Sequence, residues 1–440
     1  MGVGGQKVTT AEVTLWGTRI GAVTLPDGDH FASFQYDPDF VRSGIELSPL
    51  MMPLGGQIYR FPALPFDSFH GLPGLLADSL PDKYGNALID AWLATSGRTP
   101  GGFNAIERLC YTGTRGMGAL EFAPAQGPQS ARAEKVQIDD LVRLASEVLV
   151  HRSELKVTFE GSDKREALRE ILRVGTSAGG ARAKAIIAWN AETNEVRSGQ
   201  VKAPAGFGYW LIKFDGVENN RDHELADPAG YGVREYAYSV LAASAGVEMA
   251  ECRLFEEGGR RHFMTRRFDR LEDGDKLHMG SLAGLAHLDL NDPRANSYEQ
   301  AFTAMRQLGL PQTEIDQQFR RAVFNIVARN QDDHVKNIAF LMDREGQWHL
   351  SPAFDVSYSY NPSGDWTSRH QMSLGGKRDA FTLNDLVEGG KVAGLSERKV
   401  KAVLAEVTEA VSQWTTVATD VAVKPEHVAE VASHLRLDIA

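Results

Sequence analysis

One stretch limits how this chain can fold more than any other. Residues 330–337 read NQDDHVKN, and apolar sequence bounds them on both sides. Upstream, Phe319, Val323, Ile326 and Val327 recur at helical spacing. Downstream, residues 338–341 and 348–350 read as an apolar hairpin turning at Asp343-Arg344-Glu345-Gly346, and Phe354-Asp355-Val356 follows. A chain that leaves an apolar helix and enters an apolar strand turns next to its own core. Carboxylates at such a turn are costly unless each has a partner. Asp332, His334, Lys336 and Asn337 crowded into that turn therefore mark a site.

The 440 residues are long for one core and suggest two or three domains. With 42% hydrophobic and 24% charged residues the composition is that of a soluble globular protein. No apolar run reaches the length of a membrane span, and MGVGGQKVTTAEV lacks the apolar centre of a secretory signal. Cys110 and Cys252 form neither a metal spacing nor a disulfide framework, so buried free thiols in a reducing cytoplasm are expected. A formal net charge of −11 argues against nonspecific DNA binding by the chain itself, which needs several phosphate contacts from Lys and Arg. Nucleic acid would enter through a partner.

Alternation over residues 12–36, broken at Gly17 and at Pro26-Asp27-Gly28, predicts an antiparallel meander. A helix should follow Pro81-Asp82, with Leu88, Ile89, Trp92 and Leu93 on one face and an end near Gly97. A strand pair is expected around Cys110-Tyr111 and at 119–122. The Ala, Gly, Pro, Gln and Ser-rich stretch 123–133 reads as a domain boundary. Helices are expected at 139–150 and from Ser162 to about Leu172, strands at 185–189, 209–214 and 263–265, and a helix at 233–245 with Gly246 just past its end. The chain turns helical from Ser297 and finishes with helices at 397–414 and 425–436.

Three further features carry chemistry. Gly175, Gly179 and Gly180 let backbone N–H groups approach an anion. A strand follows this loop and Ala185 follows Lys184, so it is not a Walker loop. Lys213 stands in the apolar strand YWLIKF, where it either faces water at a sheet edge or meets an anion. Glu235 is either an exposed first-turn carboxylate or the partner of that lysine. Asp332 and Asn337 have the spacing of a catalytic aspartate and a metal-binding asparagine, and Asp355 follows a hairpin as a second metal carboxylate would. Asp333 is adjacent; spacing favours Asp332.

Together GTSAGGARAK (175–184), LIKF (211–214), RRFDR (266–270), DDHVKN (332–337) and SPAFDVS (351–357), with LWGTRIGAVTL and LLADSLPD upstream, resemble the HipA family of bacterial serine/threonine kinases, toxins of HipA–HipB type pairs. The resemblance implies an α+β, two-lobed, protein-kinase-like fold. It would comprise an N-terminal strand-helix subdomain (1–130), a nucleotide-binding lobe (131–270) and a helix-rich catalytic lobe (271–440). It implies ATP and Mg²⁺ as cofactors and Asp332 as catalytic base. Asn337 and Asp355 would hold the metal, and Lys213 the ATP phosphates. Ala178, Gly179, Gly180, Ala181, Arg182, Ala183 and Lys184 would form the nucleotide loop. The backbone of Arg266, Arg267 and Phe268 would meet adenine, and His334 would lie beside the phosphates. Ser177 matches the autophosphorylated serine, where phosphate would add about −1.5 to −2 charge and eject the loop.

Asn330-Gln331 precede Asp332 where ordinary protein kinases have His-Arg, and Asp355 sits in Asp-Val-Ser instead of Asp-Phe-Gly. Both features fit the HipA pattern. The family further implies a helix-turn-helix HipB-like antitoxin that carries the DNA contact, and a protein substrate from translation such as an aminoacyl-tRNA synthetase. A small-molecule kinase on the same fold, or a catalytically dead partner-binding module, are the rival readings.

Overall fold

Leu15 and Thr18 close the first hairpin across Trp16 and Gly17, whose φ angles are 50° and 79°. Two consecutive positive φ values match the right-handed twist of the strands they join, and glycine takes such an angle without steric cost. Trp16 is held there from another part of the molecule: its indole N–H donates to the Lys276 carbonyl at 2.7 Å. The computed structural model describes residues 7–95, 102–127, 133–150, 182–217, 221–222, 225–226 and 230–439.

Strands β1 (Thr10–Leu15), β2 (Thr18–Thr24), β3 (Ser33–Tyr36), β4 (Ile58–Tyr59) and β5 (Leu120–Ala123) form one antiparallel sheet in the order β4-β3-β2-β1-β5. The expected strand at Cys110-Tyr111 is instead a helix, Ala105–Thr112. Asn104 accepts from the Glu107 N–H at 2.9 Å, and Glu107 accepts from the Asn104 N–H at 3.0 Å. This reciprocal cap satisfies two orphan donors and starts a helix, whose Ile106, Leu109 and Cys110 are buried. β5 pairs with β1 and needs no second strand from that region.

The second sheet holds β6 (Lys184–Asn190), β7 (Glu195–Ser198) and β8 (Gly208–Lys213). Two two-residue strands, β9 (Arg221–Asp222) and β10 (Leu225–Ala226), pair with each other, and β11 (Cys252–Glu257) and β12 (Arg260–Arg266) complete the sheet. Its order is β11-β12-β8-β6-β7, antiparallel throughout. One face meets helices Lys83–Thr95 and Ile138–Val150, where Tyr84, Leu88, Ile89, Ile138 and Leu141 share a core with Ile187, Trp210 and Ile212. Side chains alternate along a strand, so Lys213 points to the opposite face. There helix Tyr231–Ser244 packs against β12 and β11.

The last lobe is mostly helical. Helix Gln312–Val327 buries Phe319, Val323, Phe324 and Val327 against helix Glu397–Ser412. Helices Tyr298–Gln307, Leu383–Val392, Trp414–Asp420 and Pro425–His434 surround them. A small sheet of β13 (His278–Ser281), β14 (Ala339–Met342) and β15 (Trp348–Leu350) completes the lobe. The inner face of the N-terminal sheet, with Val13, Leu15 and Phe34, belongs to the same core as this lobe. The N-terminal segment thus packs on both lobes, its sheet on the helical one and its long helix on the other. Among the described residues no helix is long and apolar enough to cross a membrane.

Candidate active site

Lys213 is the last residue of β8, in register between Phe263 of β12 and Lys184 of β6. β8 is therefore a central strand, which removes the edge-strand reading. The ammonium finds two carboxylates, Glu235 Oε1 and Asp355 Oδ1, each at 2.5 Å. Glu235 lies in helix Tyr231–Ser244 with its side chain 1% exposed, so it is not a solvated first-turn residue. Asp355 arrives from the third sheet, four residues beyond Ser351, with a left-handed φ of 55°. A non-glycine residue rarely takes that conformation, and strain of this kind gathers at functional sites.

Charge is stabilised unevenly across this triad. Burial opposes the Asp355 carboxylate, but Lys213, with Lys184 and Arg182 beyond it, outweighs burial and holds its pKa well below the usual carboxylate range. Burial likewise opposes the Lys213 ammonium, and Asp355 and Glu235 together raise its pKa well above that of a free lysine. Glu235, deepest of the three, is pushed upward by burial.

The polar run leaves helix Gln312–Val327 through Arg329, itself at φ 58°, and its two aspartates diverge. Asp333 is 3% exposed and accepts three hydrogen bonds, from Tyr298 Oη at 2.6 Å, His370 Nδ1 at 2.8 Å and the Gln371 N–H at 2.8 Å. Burial raises its pKa, and the hydrogen bonds of its partners, His370 foremost, bring the net shift below the usual value. Asp333 is thus a fully engaged anchor. Asp332 is the more accessible: Trp366 Nε1 donates to its Oδ1 at 2.6 Å, and His334 Nε2 lies 3.9 Å from the same oxygen. Asn337 reaches back over five residues and donates from Nδ2 to the Asp332 carbonyl at 3.0 Å. That bond spends the amide nitrogen and leaves Oδ1 as an oxygen donor.

Asn337, His334 and Asp355 line one cavity of about 30 Å³ together with Gln318, Arg321 and Phe324. Its size suits water, not a nucleotide. Gln318 Oε1, Arg321 Nε and His334 Nδ1 are buried without a hydrogen-bond partner, so bridging water is expected there. Among the described residues no group of three or more His, Cys, Asp or Glu could hold a metal. An Asn337–Asp355 pair is a different donor set: two oxygens that suit an ion retaining several waters and bound to phosphate, as Mg²⁺ commonly is.

Ser177, Ala178, Gly179, Gly180 and Ala181 lie outside the described residues, as does the helix expected after Ser162. Arg182 is buried, its guanidinium 3.1 Å above the Tyr231 ring and 3.8 Å from Glu235 Oε2. The Ala183 carbonyl accepts from the Phe214 N–H at 3.1 Å. Lys184 meets Asp82 Oδ2 at 2.9 Å, with both side chains buried. Asp82 also accepts from the Gly85 N–H at 2.6 Å, which caps helix Lys83–Thr95. In the expected hinge the Arg266 and Arg267 N–H groups donate to Glu251 and Tyr209 carbonyls, while the Phe268 ring sits 5.5 Å from that of Phe354. The Arg267 guanidinium turns inward to Asp269, which also pairs with Arg270 and accepts from the Gly118 N–H.

Asp82, Trp366, Tyr298 and His370 support the site and were not singled out from sequence. Asp82 had a signal, since Pro81-Asp82 marks a helix start. Trp366 and His370 lie in an irregular polar segment, where no periodicity separates a contact from a surface residue.

Two family models match the chain: a HipA N-terminal domain over residues 11–123 and a HipA-like C-terminal domain over residues 176–415. A solved complex of the Shewanella oneidensis MR-1 toxin–antitoxin proteins HipA and HipB with operator DNA contains a chain of like fold. Its TM-score is 0.65 at 17% identity, covering 96% of this chain and 94% of that one. A Helicobacter pylori proinflammatory kinase, CtkA, aligns over 52% of this chain with a TM-score of 0.33 and 13% identity. The Sinorhizobium fredii protein named Putative kinase Y4mE is 26% identical over 125 residues, which span 26% of this chain and 30% of that protein.

Proposed function

The chain belongs to the HipA family, and from that premise we propose that it is an ATP- and Mg²⁺-dependent serine/threonine protein kinase, the toxin of a toxin–antitoxin pair. The observation that carries the reading is Lys213 joined at once to Glu235 and Asp355, with Asp332 and Asn337 hydrogen-bonded to one another nearby.

In this reading Lys213, oriented by Glu235, holds the ATP phosphates. Asn337 Oδ1 and the Asp355 carboxylate would hold Mg²⁺, which when bound neutralises charge on the phosphate oxygens. Asp332 accepts the proton of a serine or threonine hydroxyl as that oxygen bonds to the γ-phosphorus. The bond from the γ-phosphorus to the β–γ bridging oxygen breaks, and its electron pair leaves with ADP. Proton acceptance of this kind contributes ~10²–10⁴-fold, and positioning and electrostatics supply much of the rest. Trp366 and Asn337 fix the Asp332 carboxylate and main chain, so little reorganisation is needed at the moment of transfer.

The glycine loop ending at Lys184 would cover the phosphates and carry Ser177 as the site of autophosphorylation. A helix-turn-helix antitoxin is the partner that fits a chain of net charge −11, because it would supply the DNA contact this chain is poorly charged to make. The protein substrate would be a component of translation such as an aminoacyl-tRNA synthetase.

Labelled ATP tests the reading. The wild-type chain should incorporate γ-phosphate at Ser177, and Asp332→Asn should lose incorporation while keeping its nucleotide-dependent rise in melting temperature. Wild-type incorporation in Asp332→Asn overturns the assignment of the base. Phosphate release to small hydroxyl compounds with no label on protein favours a small-molecule kinase.

A further inference from the structure

Beyond the end of helix Pro425–His434 the chain passes over the back of the polar run. The Arg436 N–H donates to the Val327 carbonyl at 2.9 Å, and its Nη1 donates to the Ile326 carbonyl at 3.0 Å. Arg329 grips the same segment from below, donating from Nε to the His434 carbonyl at 2.8 Å. Tyr358 Oη meets His434 Nδ1 at 2.7 Å. Residues 434–436 are thus fastened at several points to the turn that delivers Asp332.

The Arg436 side chain then reaches the interior. It pairs with Asp379, and its Nη1 lies 2.9 Å from His370 Nε2. A guanidinium has donors and no acceptor, so His370 Nε2 must be the accepting nitrogen of a neutral ring. The proton then sits on Nδ1, which donates to Asp333 Oδ2 at 2.8 Å. His370 is 0% exposed, so water cannot replace either contact. The result is a relay from a half-buried Arg436 to buried His370 and Asp333, ending one residue from Asp332.

We propose that Arg436 is a positioning residue for phosphoryl transfer: it locks the His370 tautomer that anchors Asp333, and so sets the place of the Asp332 carboxylate. The proposal rests on the kinase reading for its functional half. Its geometric half, the tautomer, stands apart from that reading.

Two measurements test it on the full chain. Nitrogen-15 NMR of the histidine rings should show His370 protonated at Nδ1 and bare at Nε2 in the wild type, and a changed pattern in Arg436→Met. Autophosphorylation with labelled ATP should slow at least tenfold in Arg436→Met, with KM for ATP within twofold of wild type. Arg436→Lys, which keeps one donor, should recover part of the rate. His370 protonated at Nε2 in the wild type overturns the proposal. So does Arg436→Met with a lowered melting temperature and a wild-type rate per folded molecule, since that is what a purely structural contact would give. No labelling by the wild type instead sinks the kinase reading and the functional half with it, while the NMR result still decides the tautomer.

Discussion

Trp366 donates its indole N–H to Asp332 Oδ1 at 2.6 Å, across 34 residues of sequence. The bond fixes the carboxylate that the kinase reading makes the base. A hydrogen bond to a charged group is worth about 1.5–3 kcal/mol, which corresponds to roughly 10–100-fold in rate if it is lost from the reacting geometry. Trp366→Phe keeps an aromatic ring and removes the donor. We expect phosphate incorporation to fall by about that factor with ATP affinity unchanged. Single-turnover kinetics with labelled ATP provide the check, and a wild-type rate would show that Asp332 needs no such support.

Lys213 is the shared partner of two carboxylates, and removing it strands the deeper one. Lys213→Met leaves Glu235 buried, with Arg182 as its remaining nearby cation at 3.8 Å. Deleting one member of a buried pair costs about 3–5 kcal/mol. We expect a loss near the lower end because Arg182 compensates in part. The double variant Lys213→Met/Glu235→Met should be more stable than Lys213→Met alone. Urea unfolding of the four proteins in that cycle measures the coupling, and purely additive losses would mean the pair does not act as one.

The parts of this site legible in sequence were those spaced along one motif. Asp332, Asn337 and Asp355 lie within 24 residues, and a strand lysine and helix glutamate precede them in order. Spacing favours Asp332 over Asp333, and in the structure Tyr298, His370 and Gln371 occupy Asp333. Those partners come from 35 to 38 residues away, a separation at which no pattern survives. The meander and the terminal helices followed from periodicity because burial is one-sided in each, whereas β14, buried throughout, read as a strand from its short apolar run. Cys110-Tyr111 misled because two apolar residues read alike in strand and helix. The deciding signal was the Asn104–Glu107 cap, upstream of them.

Lys184 lies in the glycine-loop motif, yet its ammonium is joined to Asp82 of the N-terminal segment. Its loss should therefore appear as weakened attachment of helix Lys83–Thr95. Asp82→Ala removes this pair and the helix cap together, the cap alone being worth about 1 kcal/mol. We expect Lys184→Met and Asp82→Ala each to cost several kcal/mol and the double variant to cost less than their sum, since the partners touch. Hydrogen exchange should report faster opening of residues 83–93 in both. Unchanged protection there, with weakened ATP binding in Lys184→Met, would assign the lysine to the nucleotide instead.

Acid should weaken the fold from about pH 6.5 downward through its buried histidines. His278 is 1% exposed, both its ring nitrogens lack a hydrogen-bond partner, and burial pushes its pKa down from 6.5 to about 3. Burial also takes His262 and His287 down to about 4. A depressed histidine is neutral when folded and protonated when unfolded over the interval between its two pKa values. The unfolded state therefore binds more protons there, and stability rises with pH. For His278 the interval runs from about 3 to 6.5, and the slope within it is about 1.4 kcal/mol per pH unit. His278→Phe retains a ring beside Trp348, 5.6 Å away, and removes the titration. Urea unfolding between pH 4.5 and 6.5 should show the wild-type slope fall by about 1.4 kcal/mol per unit in that variant. Equal slopes would mean that water or local opening lets His278 protonate in the folded state.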